Sequence, residues 1–148
     1  MILHKLMEEE DGNYQICGPT AFNFYGFDDQ IPTVTYLYNN RISAKRSIGN
    51  LAFQFIKVAE ARLGSVNAVH ARDAEILYSS RPRTLMDAVY DWSRFNGLPR
   101  GYGWIKQEIE NNPGLEAELI EVAAEYGNMA TIRRMGTCWI PSFRIRGV

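Results

Sequence analysis

The chain has 148 residues, of which 46% are apolar and 22% charged, so it is large and apolar enough for a globular domain and does not belong to the disordered class. No apolar run reaches the roughly 18 residues that a membrane span needs, and the acidic stretch after Met7 argues against a secretory signal. Cys17 and Cys138 are far apart and lack metal-ligand spacing, so we expect two reduced thiols in a cytoplasmic protein.

The net charge of −1 hides an alternation of acidic and basic segments. Residues 1–40 and 101–126 each carry a net charge of −5, whereas residues 41–100 carry +5 and residues 127–148 carry +4. Such segments can fold into separate acidic and basic faces that steer partners. They can equally be solvated helix faces whose charges intermix in space, and the sequence leaves both interpretations open.

The first 80 residues combine two short helix patterns with a series of strand patterns. The N-terminus has an apolar helix face made of Ile2, Leu3, Leu6 and Met7. Pro19 and Gly26 fit the first turn and the left-handed end of a second helix. Extended segments are predicted at residues 14–17, 33–38, 51–58, 66–71 and 74–78, with a turn at Asn39-Asn40 after the second of them. Because several connections are short and none has the length of a crossover helix, we expect an antiparallel, meandering sheet.

After Tyr78 the pattern becomes helical. Helices are predicted at residues 80–96, around 104–109, at 113–126 and from 128 to 136, with Asn128 as the expected cap of the last one. Strands followed by helices indicate the α+β class, with a small antiparallel or mixed sheet in the N-terminal half packed against a C-terminal helical bundle. The chain contains no repeat and no low-complexity linker, so we expect one domain over residues 1–148.

Four apolar residues of the helical half are predicted to be buried. They are Leu85, Val89, Trp92 and Trp104, the first three of which recur at helical spacing. If Trp92 is a core residue, its replacement by alanine should cost roughly 3–5 kcal/mol.

No arrangement of residues predicts a catalytic, cofactor-binding or metal site. His4 and His70 have no partner at a spacing that suggests zinc or a proton relay, and His70 is expected to be a packing residue of a strand. Asp73 and Glu75 allow a degenerate nuclease as a remote alternative, although the lysine expected beside the second acid is missing. The chain is therefore expected not to be an enzyme and to need no cofactor.

Two groups of cations are candidate contacts for a partner. Arg41, Lys45 and Arg46 are predicted to lie in one basic loop suited to phosphate contacts. Arg81 and Arg83 lie at a helix N-terminus, where a positive charge is mildly unfavourable. That placement favours either a partner contact or an ion pair, for which Asp87 and Asp91 are the nearest candidates in sequence. No helix-turn-helix pattern is visible, and a pI near 6.1 argues against a dedicated DNA-binding protein.

Several motifs, in the same order along the chain, resemble a known family. Tyr14-Gln-Ile-Cys-Gly-Pro-Thr-Ala-Phe-Asn-Phe-Tyr-Gly-Phe-Asp-Asp-Gln-Ile-Pro32 resembles the opening block of the AbiEi-type antitoxins. Ser80-Arg-Pro-Arg-Thr-Leu-Met-Asp-Ala-Val-Tyr-Asp91 is similar to their Arg-Thr-Leu-x-Asp-Ala helix, which Trp92 to Ile105 continues. Ala130-Thr-Ile-Arg-Arg-Met-Gly136 is similar to the Arg-Arg-x-Gly step that follows. The resemblance covers roughly residues 12–136.

The resemblance implies the antitoxin domain of a bacterial type IV toxin–antitoxin system, which acts in abortive infection as a phage defence. Such antitoxins oppose a nucleotidyltransferase-like toxin, without requiring a stable complex, and usually carry an N-terminal winged helix-turn-helix that represses their own promoter. On this view the candidate surface contacts are Arg81, Arg83, Arg133 and Arg134. The alternative function is transcriptional regulation through DNA binding by the basic loop.

Two departures from the family pattern concern the ends of the chain. About thirteen residues precede Tyr14, so we expect no winged helix in this chain. From about residue 137 the tail is atypical, because Pro141 interrupts the apolar run that the family continues as helix.

Overall fold

The structure is a computed structural model that describes residues 2–71 and 74–137. The chain divides into two compact units, Met1–Ser80 and Arg81–Val148, which we call the sheet unit and the helical unit. All described strands lie in the sheet unit and most helices in the helical unit, so the predicted α+β class is confirmed. The single domain stays a prediction, and the atypical tail lies outside the described residues from position 138 on.

The described part of the sheet unit contains six strands and two α-helices, together with a 3-10 turn at Glu60–Arg62. In chain order they are α1 (Ile2–Glu9), β1 (Tyr14–Ile16), α2 (Gly18–Phe24), β2 (Thr35–Asn39), β3 (Ala44–Ile48), β4 (Leu51–Lys57), β5 (Val66–Ala71) and β6 (Ala74–Ser79). The strands form one sheet in the order β3-β4-β2-β1-β6-β5. Its pairs β2–β4 and β1–β6 are parallel and the other three are antiparallel. The sheet is therefore mixed, and the expectation of an antiparallel meander is wrong.

The side chain of Asn39 explains why β2 and β3 do not form a hairpin. Asn39 is buried at the end of β2, and its Oδ1 accepts hydrogen bonds from the backbone N–H of Arg41 at 2.9 Å and of Ile42 at 2.7 Å. Its Nδ2 donates to the carbonyl oxygen of Ile42 at 2.9 Å. These bonds direct the chain outward to the edge position of β3, and β4 then returns between β3 and β2. A side-chain network thus replaces the tight turn that the asparagine pair suggested.

One apolar cluster holds α1 against the sheet. Leu3 and Met7 of α1 pack with Ile16, Leu37 and Phe55, and all five side chains are at most 3% exposed. The burial of Leu3 and Met7 confirms the apolar helix face that the sequence predicts. Three further members of the cluster are Tyr14, Ile42 and Phe53.

The second helix of the sheet unit begins and ends where the sequence predicts. Pro19 lies in the first turn of α2, and Gly26 after its end has a φ of +79°, a conformation that glycine adopts without strain. Ala21 and Phe22 of this helix are fully buried. Cys17 at its start is buried, whereas Cys138 lies outside the described residues.

The helical unit contains five described helices. They are α3 (Arg81–Tyr90), α4 (Trp92–Phe95), α5 (Arg100–Asn111), α6 (Leu115–Tyr126) and α7 (Met129–Thr137). Helix α3 contacts each of the other four helices. Its residues Leu85 and Val89 are 0% exposed, so their predicted core position is confirmed. The Oδ1 of Asn128 accepts a hydrogen bond from the backbone N–H of Thr131 at 2.8 Å, which confirms the predicted cap of α7.

The first predicted helix of this unit is interrupted at Asp91. The backbone of Asp91, with φ −103° and ψ 39°, is not helical, and Asn96 in the left-handed conformation ends the short helix α4. Gly97 then passes so close to the carbonyl of Ala88 that a side chain on this residue would collide with it. In the described residues no helix is long and apolar enough to cross a lipid bilayer.

Candidate interaction surfaces

The arginine of the Arg-Thr-Leu-Met-Asp-Ala segment is inside the helical unit. Nε of Arg83 lies 2.9 Å from Oδ1 of Asp87 one helical turn later, and both side chains are 0% exposed. The guanidinium carbon of Arg83 is 4.5 Å from the centre of the Tyr126 ring on α6, which gives a cation–π contact. Every residue from 83 to 88 is buried. The expectation that Arg83 is a surface contact is wrong, and the alternative, an ion pair with Asp87, is confirmed.

Arg81, the other arginine at the start of α3, is partly exposed. Its Nη1 forms an ion pair with Oε1 of Glu108 on α5. The acid in this ion pair thus comes from another helix. Because a nearby carboxylate offsets the unfavourable interaction of a cation with a helix N-terminus, Arg81 has a structural explanation that requires no partner.

Trp92 is not a core residue, contrary to the sequence-based expectation. Its side chain is 42% exposed. The reason is the break at Asp91, which rotates α4 relative to the apolar stripe of α3. A loss of stability as large as that of a core tryptophan is therefore not expected for Trp92→Ala. Trp104 is half-buried, with the guanidinium carbon of Arg100 at 4.9 Å from its ring.

Arg134 and Trp92 form a cation–aromatic pair that the sequence did not predict, in which Trp92 is exposed and Arg134 is half-buried. The guanidinium carbon of Arg134, on α7, lies 5.8 Å from the centre of the Trp92 ring. The preceding residue of the same helix, Arg133, is exposed and forms no ion pair with any residue that the structure describes. Tryptophan and arginine are the side chains that contribute most often to protein interfaces. We call Trp92, Arg133 and Arg134 the arginine–tryptophan group.

The three cations expected in one basic loop are separated. Lys45 and Arg46 are consecutive residues of the edge strand β3, so their side chains point to opposite faces of the sheet. Arg46 lies on the face of Phe55, with its guanidinium carbon 6.0 Å from that ring. The expectation of a shared loop is therefore wrong for these two residues, because the segment pairs with β4.

Only Arg41 of the three lies outside the strand. Its Nε donates a hydrogen bond of 2.9 Å to the carbonyl oxygen of Asp11. Arg41 also lines an open groove with Ser43 and Lys57, in which Glu60 is the acidic residue. This groove brings Arg41 together with Lys57, a cation that the sequence did not single out.

A second, smaller pocket contains His4, Tyr14 and Glu75. Nδ1 of His4 lies 3.3 Å from the hydroxyl oxygen of Tyr14, and that oxygen accepts a hydrogen bond of 3.3 Å from the backbone N–H of Leu77. Burial raises the pKa of the Tyr14 phenol above 10.0, and the negative charge of Glu75 acts in the same direction, against the hydrogen bond from Leu77. The phenol therefore stays protonated at neutral pH and serves as a packing and hydrogen-bonding group.

The remaining residues considered for catalysis are dispersed. His70 is exposed, with 71% of its side chain accessible, and Nε2 lies 3.6 Å from Oε2 of Glu75, so the expected packing role is wrong. Asp73, part of the remote nuclease alternative, lies outside the described residues. Within residues 2–71 and 74–137, no three His, Cys, Asp or Glu side chains are grouped to bind a metal ion.

Comparison with known proteins gives no match to a family model, to a curated protein or to a solved structure. The resemblance to the AbiEi-type antitoxins therefore rests on the sequence motifs alone and stays a prediction.

Proposed function

We propose that this chain is an AbiEi-like antitoxin domain of a bacterial type IV toxin–antitoxin system, which opposes a nucleotidyltransferase-like toxin through its surface and not through catalysis. The observation that carries the proposal is the succession of four motifs in family order between about residues 12 and 136. Several ordered motifs are more specific than any one of them. The cytoplasm is the compartment in which this function operates.

Two of the motifs support the proposed function in different ways, one through folding and one through surface contacts. The buried Arg83–Asp87 pair stabilises the helical unit, so this motif acts on function through folding. Arg133 and Arg134 of the last motif belong instead to the arginine–tryptophan group, next to the exposed ring of Trp92. The exposed Arg133 and the half-buried Arg134 lie beside an exposed tryptophan. This combination suits contact with an acidic protein surface, where it provides charge pairing and apolar area together.

The proposal predicts that a nucleotidyltransferase-like toxin is encoded next to this chain, and co-expression of the two proteins tests it. The toxin alone should arrest growth, and co-expression of the wild-type chain should restore it. The double variant Arg133→Ala/Arg134→Ala should restore growth at least 10-fold less well, which corresponds to about 1.4 kcal/mol of lost interaction. The growth of serially diluted cultures measures the effect.

The matched control is Lys106→Ala, which removes one exposed cation from α5, outside the arginine–tryptophan group. This variant should protect as well as the wild type. If the folded wild-type chain leaves toxicity unchanged, the antitoxin proposal fails. If the wild type protects and the double arginine variant protects equally, the function stands but these arginines do not carry it.

A second candidate function, DNA-binding regulation of its own operon, is favoured by the open groove with Arg41 and Lys57. These cations would contact backbone phosphates, so affinity for upstream DNA should fall steeply with salt. For each phosphate neutralised, log K should fall by about 0.9 when the salt concentration rises tenfold. The double variant Arg41→Ala/Lys57→Ala should make the slope of log K against log salt concentration shallower by the contribution of about two phosphate contacts. A gel-shift titration that shows no binding at low salt excludes this function.

A further inference from the structure

The two edges of the six-stranded sheet differ in how well they are protected against pairing with another strand. The edge strand β3 carries two consecutive cations, Lys45 and Arg46, and charges on an edge strand oppose the approach of a second strand. The other edge strand, β5, runs Val66-Asn-Ala-Val-His-Ala71 and contains no Asp, Glu, Lys or Arg. Its residues are exposed except for Val69, which is half-buried, and Val66 is 46% exposed.

The hydrogen-bonding phase of β5 identifies the backbone groups that face outward. The N–H of Ser80 donates to the carbonyl oxygen of Ser65 at 2.7 Å, just beyond the first register pair of Val66 and Ser79. In an antiparallel ladder the hydrogen-bonded pairs alternate, so Asn67, Val69 and Ala71 bond to β6. The N–H and C=O groups of the other three residues therefore point away from the sheet, namely those of Val66, Ala68 and His70.

Two contacts in the same sheet agree with this phase. The N–H of Leu77, which is the register partner of Ala68, donates to the Tyr14 hydroxyl and not to β5. His70 and Glu75 approach to 3.6 Å across the ladder, as side chains do at the closer, non-hydrogen-bonded positions.

We propose that β5 is a self-association edge, where a second copy of this chain pairs antiparallel with the first about a two-fold axis through Ala68. In that register Ala68 lies opposite the partner's Ala68, and Val66 lies opposite the partner's His70. All three outward-facing residues then lie in hydrogen-bonded pairs, and two six-stranded sheets become continuous.

A second copy fits this edge because the strand is complementary to itself. The single titratable side chain of β5, His70, meets an apolar valine, so no like charges oppose each other across the axis. The same pairing at β3 would bring four cations together. One pair of six-residue strands is smaller than the roughly 1,200–2,000 Å² of a standard interface, so the dimer is weak, with a dissociation constant on the order of 10⁻⁵–10⁻³ M.

Sedimentation equilibrium over a series of concentrations tests the proposal. The wild-type mass should rise from 16.9 kDa toward twice that value as the concentration increases, and the rise should persist in high salt because no ion pair is involved. Ala68→Pro removes an outward N–H without breaking a β5–β6 hydrogen bond, and edge strands accept proline. Ala68→Lys introduces the protection that β3 has. Both variants should stay monomeric at concentrations where the wild type dimerises.

The matched control is Ser47→Lys, the same kind of change on the exposed face of the other edge strand. This variant should dimerise like the wild type. A wild-type chain that stays monomeric throughout overturns the proposal. The proposal is also overturned if both Ala68 variants dimerise as strongly as the wild type while their far-ultraviolet circular dichroism is unchanged. If high salt abolishes the association, the contact belongs to charged surfaces and not to β5.

Cysteine cross-linking tests the register. In a Cys138→Ser background, Ala68→Cys places two thiols opposite each other across the axis at a Cα separation of about 5.5 Å, within the range for a disulfide. Mild oxidation should therefore give a covalent dimer. Val66→Cys alone should not cross-link, because its counterpart lies four residues along the partner strand. Equal cross-linking of the two variants overturns the register about Ala68.

Discussion

Replacing Arg83 by alanine is expected to lower the free energy of unfolding of the helical unit by about 3–5 kcal/mol. The change leaves the Asp87 carboxylate buried without the guanidinium at 2.9 Å, and removal of one member of a buried ion pair is far more costly than loss of an exposed pair. It also removes the stacking on Tyr126. Tryptophan fluorescence during urea unfolding measures this unit, because all three tryptophans of the chain lie after residue 80.

The controls for this prediction separate burial from charge. Arg94→Ala breaks the exposed pair with Asp91, whose closest atoms are 3.2 Å apart, and should cost no more than about 1 kcal/mol. The double replacement Arg83→Met/Asp87→Leu removes both charges and should destabilise less than Arg83→Ala alone. A loss with Arg83→Ala as small as that with Arg94→Ala would show that the Asp87 carboxylate is not buried in solution.

The same variants distinguish a folding role from a contact role in toxin antagonism. Arg83→Ala should weaken protection only to the extent that it unfolds the chain, so lowering the growth temperature should restore it. Arg133→Ala/Arg134→Ala should leave the unfolding free energy nearly unchanged, since Arg133 is exposed and Arg134 contacts an exposed ring. Its loss of protection should therefore not respond to temperature.

Local patterns predicted most of the secondary structure. The helix face of Leu3 and Met7, the cap at Asn128 and the stripe of Leu85 and Val89 each depend on side-chain periodicity or on one backbone interaction within a turn. Such signals act over about four residues, so a single sequence contains them.

Sheet topology depends on residues that are distant along the chain. Asparagine is common in turns, but in the fold Asn39 is buried and its side-chain amide directs the chain to the sheet edge. A prediction from sequence that lacks this network cannot place β3 and β4 in the sheet. It therefore assigns the segment with Lys45 and Arg46 to a loop. The expectation that these two cations lie in one loop follows from the same error, because in the strand they lie on opposite faces.

The candidate contacts were predicted only in part for a comparable reason. Arg83 is a charged residue in a polar-looking helix turn, and its burial depends on Asp87 in the same helix and on Tyr126 from a helix more than thirty residues away. Trp92 has the spacing of a core residue, but the non-helical backbone of Asp91 turns it outward. A break of one residue in a helix changes which side is buried, and periodicity does not detect it.

Leu37→Ala is expected to destabilise the sheet unit by about 2–5 kcal/mol, the second large effect. Leu37 is 0% exposed at the centre of the sheet, where it pairs in register with Ile16 of β1 and Phe55 of β4. A methyl in place of the isobutyl group leaves a cavity that α1 and the neighbouring strands, already packed around Leu37, close only in part. Native-state hydrogen exchange of the β1, β2 and β4 amides measures the loss, since this unit contains no tryptophan.

Leu51→Ala is the matched control for Leu37→Ala, because it makes the identical change in the same sheet. Leu51 begins β4 and is 52% exposed, so the loss should stay below about 1 kcal/mol. The contrast tests the burial of Leu37, because the two substitutions remove the same atoms from side chains that differ in exposure, 0% for Leu37 and 52% for Leu51. Equal losses for the two leucines would contradict the burial of Leu37 in the cluster that holds α1 against the sheet.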